Sequence, residues 1–291
     1  MSNCNFRAGR LYKFREGKYN EDGRNRDLDT VANNYLWFSY LKDLNDPLEG
    51  VYEFIDSNFS EETALKLLEG ELEKTGLNKE NIAKEIKKLK EESNKQKKDI
   101  VRLRTVKFLQ NWINNFKDQQ AIFSGTLGLG IKNDSENPGI QNKQMWTHYA
   151  NEFKGFCIEY DIEETVLSIE KNVHKISRGT INYQNIPPKI HLTDFIDKIS
   201  NNELPKDSLI STIYNKHLSW QIENEYRLTS KSDGKHHHSK NSINRILLGN
   251  RASEKLRYDL ISLCRSKKID LYEILPDTST YNLNTKRVDI S

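Results

Sequence analysis

The chain has 291 residues, 35% apolar and 30% charged, and its 45 basic and 42 acidic side chains leave a formal charge of +3, too small an excess to argue for or against a nucleic-acid partner. A chain of this length can bury a substantial core without disulfides or a structural metal; its three cysteines, Cys4, Cys157 and Cys264, lie far apart with no Cys-x-x-Cys, which argues against a disulfide framework and a cysteine zinc site. No apolar run approaches the roughly 20 residues needed to span a bilayer, and the polar opening Met1-Ser-Asn-Cys lacks a signal core, so the sequence predicts a cytoplasmic protein with no membrane partner.

The first element is a strand at Arg10–Arg15, where Leu11 and Phe14 alternate with polar neighbours. A loop rich in Asn, Asp and Gly follows, and then an aromatic strand at Tyr35–Ser39. That strand leads into a turn at Asn45-Asp-Pro-Leu-Glu49, whose Asn and Asp side chains can fix their own backbone. Residues 57–116 read as helical. Ser60 caps a first helix to about Lys74, Gly76 breaks the chain, and Asn78 caps a second with Leu77 and Ile82 as its hydrophobic staple. Carried on to Phe116, that second helix would be about 60 Å long at about 1.5 Å per residue. Ser93 and Gln96 interrupt its apolar seam, and its lysines are interleaved with acids.

Strand signals return at 121–125, 155–160, 178–183, 225–229, 244–249 and 269–274. Helices are predicted at 144–150, 192–201, 207–219 and 253–266, the third with Leu209, Ile213 and His217 along one face. Strands and helices do not alternate strictly, so the fold class is α+β: a single domain with a mixed or antiparallel sheet over residues 1–56 and 117–291, and a long helical hairpin inserted at 57–116. His236-His-His238 and Gly125-Thr-Leu-Gly-Leu-Gly130 read as loops, since the first has no accompanying acidic or Cys ligands and the second lacks the ending of a phosphate loop.

Three constellations can carry chemistry. In Trp220-Gln-Ile-Glu-Asn-Glu-Tyr-Arg-Leu228, extended backbone from Glu223 onward puts Glu223, Glu225 and Arg227 on one pleated face, about 7 Å between successive members. In a cleft, the guanidinium would orient one carboxylate while the other accepts a proton or faces a developing cation; in water the same residues make a surface ion pair. In Met145-Trp-Thr-His-Tyr-Ala150, a helix brings Trp146 beside Tyr149, and His148 is an acid–base or ligand candidate. In the Asn45–Glu49 turn, Asp46 has a sufficient structural role, and Glu49 can point into a site.

Taken in order, Leu11-Tyr-Lys-Phe14, Leu36-Trp-Phe-Ser39 with Asn45-Asp-Pro47 and Glu49, Met145-Trp-Thr-His-Tyr-Ala150, Lys154-Gly-Phe-Cys-Ile-Glu159, Trp220-Gln-Ile-Glu-Asn-Glu-Tyr-Arg227 and Leu248-Gly249 resemble a bacterial and phage family known as domain of unknown function 2971. That family carries no established activity. A more distant resemblance, resting on Glu223-Asn-Glu225, a basic first strand and a Ser-bearing second strand, is to ADP-ribosyltransferases. It implies NAD as co-substrate with no metal, Glu225 stabilising an oxocarbenium-like transition state, and Glu223 activating the acceptor. It further implies that Arg10 or Arg15 touches the NAD phosphates and that Ser39 or Tyr40 braces the site. The motif segments themselves add Tyr12, Asn45, Asp46, Trp146, Tyr149 and Arg227 as candidate substrate- or cofactor-binding residues. The acceptor would be a protein or a nucleic acid, and the role that of a toxin or phage-defence effector. Two other readings stay open: a nuclease-like effector using Glu223, Glu225, Asp46 and His148, and a non-enzymatic module that binds a partner or a second copy through the helical arm.

Overall fold

The alternation at Arg10–Arg15 and the aromatic run at Tyr35–Tyr40 both form strands, and both join the same neighbour, Ala121–Gly128. The computed structural model describes residues 9–55, 60–96, 99–128, 136–172, 175–200, 203 and 205–291. Cys4, Ser57, Leu129, Gly130 and Asn201, which figured in the sequence reading, lie outside these. The chain divides into two units, one of residues 1–43, 120–183 and 218–291 and the other of 44–119 and 184–217.

The first unit is built on a ten-stranded sheet. Strand 121–128 is its branch point. One edge pairs along Glu225–Ser230, which in turn pairs with Ser177–Thr180. The other edge is shared: Tyr12 to Arg10 pair with Thr126 to Gly128, whereas Ser39 and Tyr40 pair with Ile122 and Ala121. The sheet therefore forks around Phe123–Gly125. From one arm, Gly234–His237 extends strand 35–40. From the other, the order runs 10–15, Phe156–Asp161, Ile243–Leu248, Asp270–Pro276 and Leu283–Arg287. Pairing is antiparallel except between 243–248 and 270–276, whose parallel connection is the helix Glu254–Lys267. Separate helical and antiparallel parts around this mixed sheet make the unit α+β.

Both faces of the sheet are covered. On one, Leu11, Phe123, Tyr160, Leu228 and Ile246 pack with Val31, Val166 and Leu260 of three helices. On the other, Tyr12, Phe14, Cys157 and Leu247 pack beneath Ile140, Met145 and Trp146 of the helices Pro138–Gln141 and Lys143–Tyr149. The Tyr12 ring lies so close to two backbones that a Cβ at Gly128 or Gly139 would come within 2.1 or 2.2 Å of it; only glycine fits there.

Several sequence expectations change here. His236-His-His238 is no solvated loop: Gly234–His237 is a strand, and His236 and His238 are buried. Gly125 to Gly128 belong to strand 121–128. The helix expected at 207–219 runs only from Lys206 to Ile213, so His217 falls outside the Leu209–Ile213 face. Leu283–Arg287 was not predicted, because its residues are mostly polar and its hairpin with Asp270–Pro276 leaves little apolar alternation to read.

The second unit holds the helical insertion. Ser60 caps Glu61–Lys74 as read from the sequence, accepting from the Thr63 amide at 3.1 Å. The single 60 Å helix, however, is two helices, Lys79–Gln96 and Ile100–Asp118. Asp99 caps the latter, accepting from the Arg102 amide at 2.9 Å. The polar stretch after Leu89 cannot continue the seam, and bending back lets Val101 join Ala64, Leu65, Ile82, Ile86 and Leu89 in one apolar cluster. This unit is wider than the 57–116 segment. Residues 184–217 return to it, where Phe195, Ile196 and Leu209 cover Leu109 and Ile113, and Lys189–His191 pairs in parallel with Glu53–Ile55. Among the described residues no helix is long and apolar enough to cross a membrane.

Candidate functional site

The strand 225–230 is buried throughout, and its two-residue period sends Glu225 and Arg227 to the face opposite Tyr226 and Leu228. Arg227 is fully buried and Glu225 is 5% exposed. Their contact is bidentate, Nε to Oε1 at 2.6 Å and a terminal nitrogen to Oε2 at 3.2 Å. The Ser124 hydroxyl donates to the same Oε1 at 2.5 Å, and the Tyr183 hydroxyl accepts from the Glu225 amide at 2.8 Å. Two strands of the first unit thus hold the carboxylate, and Tyr183 holds the backbone that carries it.

Glu223 reaches the site by a different route from the one its spacing implied. The backbone before Glu225 is not extended: Leu218–Glu223 is a 3₁₀ turn, and Asn224 has φ +43°. Asparagine tolerates this left-handed geometry because its short polar side chain bonds locally. Here the Asn224 amide group donates to the Leu127 carbonyl at 2.8 Å while its own carbonyl accepts from the Leu127 amide at 2.8 Å. Glu223, 6% exposed, accepts a hydrogen bond from the Tyr149 hydroxyl. A turn and a helix supply the second carboxylate; the pleat does not.

Lys13 was missed by sequence reasoning. Between the two arms of the fork, the Ser124 carbonyl faces no strand on that edge, and Lys13 Nζ donates to it at 2.7 Å. The ammonium also lies 5.0 Å from the Phe123 ring centre. Burial and the neighbouring Arg15 push its pKa down to about 7, against the opposing pull of Glu225, Asp27 and Glu223. The only sequence signal was a lysine inside an otherwise amphipathic strand.

Register joins this cluster to a second one on the same face. Arg245 pairs with Glu159, Glu159 with Tyr12, Tyr12 with Thr126 and Thr126 with Glu225, a row across five strands spaced about 4.8 Å apart. Glu159 accepts from Arg245 at 2.6 Å, Asn244 at 2.5 Å and the Tyr12 hydroxyl at 3.1 Å. Arg10 lies 3.5 Å from Glu159 and pairs with Asp161. Burial, followed by the Glu159 charge, pushes the Tyr12 phenol well above its ordinary range. Arg10 and Tyr12 are therefore engaged in this network.

The remaining sequence-selected residues scatter. Trp146 is a core residue: fully buried, edge-on to Phe14 at 5.2 Å, its indole N–H donating to the Ile140 carbonyl at 3.0 Å. His148 is exposed on the outer side of the same helix. Arg15 lies on the sheet face opposite Glu225, 3.6 Å from Asp27. Ser39 and Tyr40 occupy the branch with 121–122, half-buried. Asn45 and Asp46 belong to the second unit, where Asp46 closes a turn by accepting from the Leu48 amide at 3.0 Å. Glu49 pairs with Lys216 at 3.4 Å in that unit. Among the described residues no group of three or more His, Cys, Asp or Glu side chains is arranged to hold a metal ion.

A shallow depression is lined by Gln141, Gln144, Tyr183, Gln221, Ile222 and Asn224 among others, and reaches the neighbours of Glu223 and Glu225 in sequence without being lined by either carboxylate. The segment contributing Tyr149, Glu223, Glu225 and Arg227 is also the segment with a recognisable relative. Residues 145–228 match the family described as protein of unknown function (DUF2971). The matched DUF2971 segment runs from the Trp146 helix to the Glu225 strand and takes in the two carboxylates, the guanidinium and the tyrosines around them. Neither a curated protein nor a solved structure matches the chain.

Proposed function

We propose that the first unit is an NAD-consuming transferase or glycohydrolase in which Glu225 stabilises the transition state of ribosyl transfer. The observation that carries this reading is the immobilised, nearly buried Glu225 carboxylate, gripped by Arg227 and Ser124, with a second buried carboxylate, Glu223, two residues before it in the chain. As the bond from the ribosyl carbon to nicotinamide breaks, the leaving group takes the electron pair and positive charge grows on the sugar. A carboxylate already oriented for that charge needs no reorganisation as the reaction proceeds, which is the source of its catalytic effect. Glu223, positioned by Tyr149, takes the proton of the incoming water or acceptor hydroxyl. The amide-lined depression beside Tyr183 and Asn224 supplies the hydrogen-bonding groups for the substrate, and the acceptor, if not water, is a protein or nucleic acid.

The test is nicotinamide release from NAD by the purified full chain, with and without cell lysate as acceptor. Wild type should release nicotinamide, and Glu225→Gln, which preserves shape and can still accept from Arg227, should lower the rate by at least about 100-fold. Absence of release in both conditions, or an unimpaired Glu225→Gln, would overturn the proposal.

A further inference from the structure

On the sheet face opposite Glu225, four buried side-chain atoms have no hydrogen-bond partner: Arg15 Nε, Tyr160 Oη, His236 Nδ1 and His238 Nε2. Folded proteins pair the great majority of such atoms, so a concentration of exceptions calls for a reason. All four residues lie on this one face, and two of them, Tyr160 and His238, are in ring contact. Arg15 and Tyr160 stand on adjacent paired strands, and the Arg15 charge acts on the Tyr160 phenol. The Tyr160 ring meets the His238 ring edge-on at 5.5 Å. His236 is two residues from His238 and buried like it, while His237 between them is exposed, so the two imidazoles share a side about 7 Å apart along the chain. Phe38 packs under His236 at 4.3 Å and against Phe123 at 6.0 Å, and Phe123 in turn meets Tyr160 at 6.3 Å.

Both histidines are fixed in one tautomer by the backbone. His236 Nε2 donates to the Ser232 carbonyl at 2.9 Å, and His238 Nδ1 donates to the Ser239 carbonyl at 2.8 Å. A carbonyl can only accept, so the hydrogen sits on the bonded nitrogen and the neutral ring's other nitrogen is a bare lone pair. The cluster thus offers donors from Arg15 and Tyr160, with the Lys13 ammonium nearby, and acceptors from two imidazoles. Asp27 offsets part of the Arg15 charge through a terminal guanidinium nitrogen at 3.6 Å and leaves Nε unengaged.

We infer that this cluster is a binding site for a protonated phosphate group, an oxyanion whose oxygens accept from Arg15 and Tyr160 while its own hydroxyl donates to His236 or His238. Sulfate has the same shape but no proton to give at neutral pH, and its oxygens would meet the imidazole lone pairs unfavourably. The site lies across the sheet from Glu225 and does not depend on the function proposed for that residue.

Calorimetric titration of the full chain at fixed ionic strength with inorganic phosphate, sulfate and adenosine monophosphate provides the test. Phosphate should bind at least 10-fold more tightly than sulfate. Tyr160→Phe and His238→Phe, both substitutions that suit an apolar environment, should each weaken phosphate binding at least 10-fold, and His238→Phe should narrow the preference over sulfate. If either variant fails to fold, nitrogen NMR of the wild-type histidines decides: phosphate must move the bare ring nitrogens of His236 or His238. Binding of adenosine monophosphate as well as phosphate assigns the site to phosphate esters, and its exclusion assigns the free ion; both outcomes support the site. Equal affinity for phosphate and sulfate, no binding of phosphate, or unmoved histidine signals would overturn it.

Discussion

Removing Arg227 tests whether the Glu225 carboxylate is as confined as its geometry implies. Arg227→Met keeps the volume and apolar stem of a wholly buried side chain but strips both hydrogen bonds, at 2.6 and 3.2 Å, from a carboxylate that is itself 5% exposed. A buried charge that loses its partner typically costs about 3–5 kcal/mol, far more than the net contribution of the intact pair. Ser124 and the Glu225 backbone contacts persist and place the expectation near the lower end, about 3 kcal/mol. Replacing both residues, Glu225→Met with Arg227→Met, removes the charge along with its partner and should restore most of that loss. Urea unfolding followed by fluorescence of the four tryptophans measures both, with an unchanged denaturant slope as the sign that only stability has moved. The exposed Lys66–Glu62 pair is the control, and its removal should leave the midpoint where it was. Arg227→Met within about 0.5 kcal/mol of wild type, or a double variant no more stable than the single one, would refute the idea of a desolvated, preorganised carboxylate.

Two further outcomes follow from packing and titration. Burial holds the His238 imidazole down to about 4. The unfolded chain therefore takes up this proton first, and stability should fall as pH drops from about 6.5 to 4, by about 3 kcal/mol at most from this residue; His238→Phe should flatten that part of the urea-midpoint curve, and an unchanged slope would exclude the assignment. Gly139→Ala would drive a methyl to 2.2 Å from the Tyr12 ring, so it should destabilise by about 1–3 kcal/mol and loosen the Tyr12–Glu159 contact, seen as a lowered melting midpoint; a neutral result would mean the ring has room to move.

What could be read from the sequence was local. The Ser60 cap, the aromatic strand at Tyr35–Tyr40 and the Trp146 helix announce themselves through side chains that act on their own backbone or repeat with a fixed period. The α+β class follows from the same signals. The fork at strand 121–128 does not, because it depends on which distant residues pair with its two ends. Without the fork there is no reason to single out Lys13, whose role comes from a carbonyl on another strand that the forking leaves to it. Glu223 is the instructive case. Its spacing from Glu225 suggested a shared pleat, and both carboxylates are indeed buried, yet a left-handed Asn224 lies between them. The histidine triplet erred in the opposite direction: flanking Gly, Ser and Lys suggested solvent, whereas pairing with 35–38 buried two of the three rings.

The ammonium wedged into the fork has one more consequence. It senses the charges on both surfaces of the sheet, Glu225 on one and Arg15 on the other. An anion arriving beside Arg15 would draw that proton more firmly onto the amine, and the change would be felt across a single strand's thickness at Glu225. Were both surfaces to bind ligands, thermodynamic reciprocity would require occupancy of either to alter affinity at the other by an equal factor, with this lysine as the charged group between them.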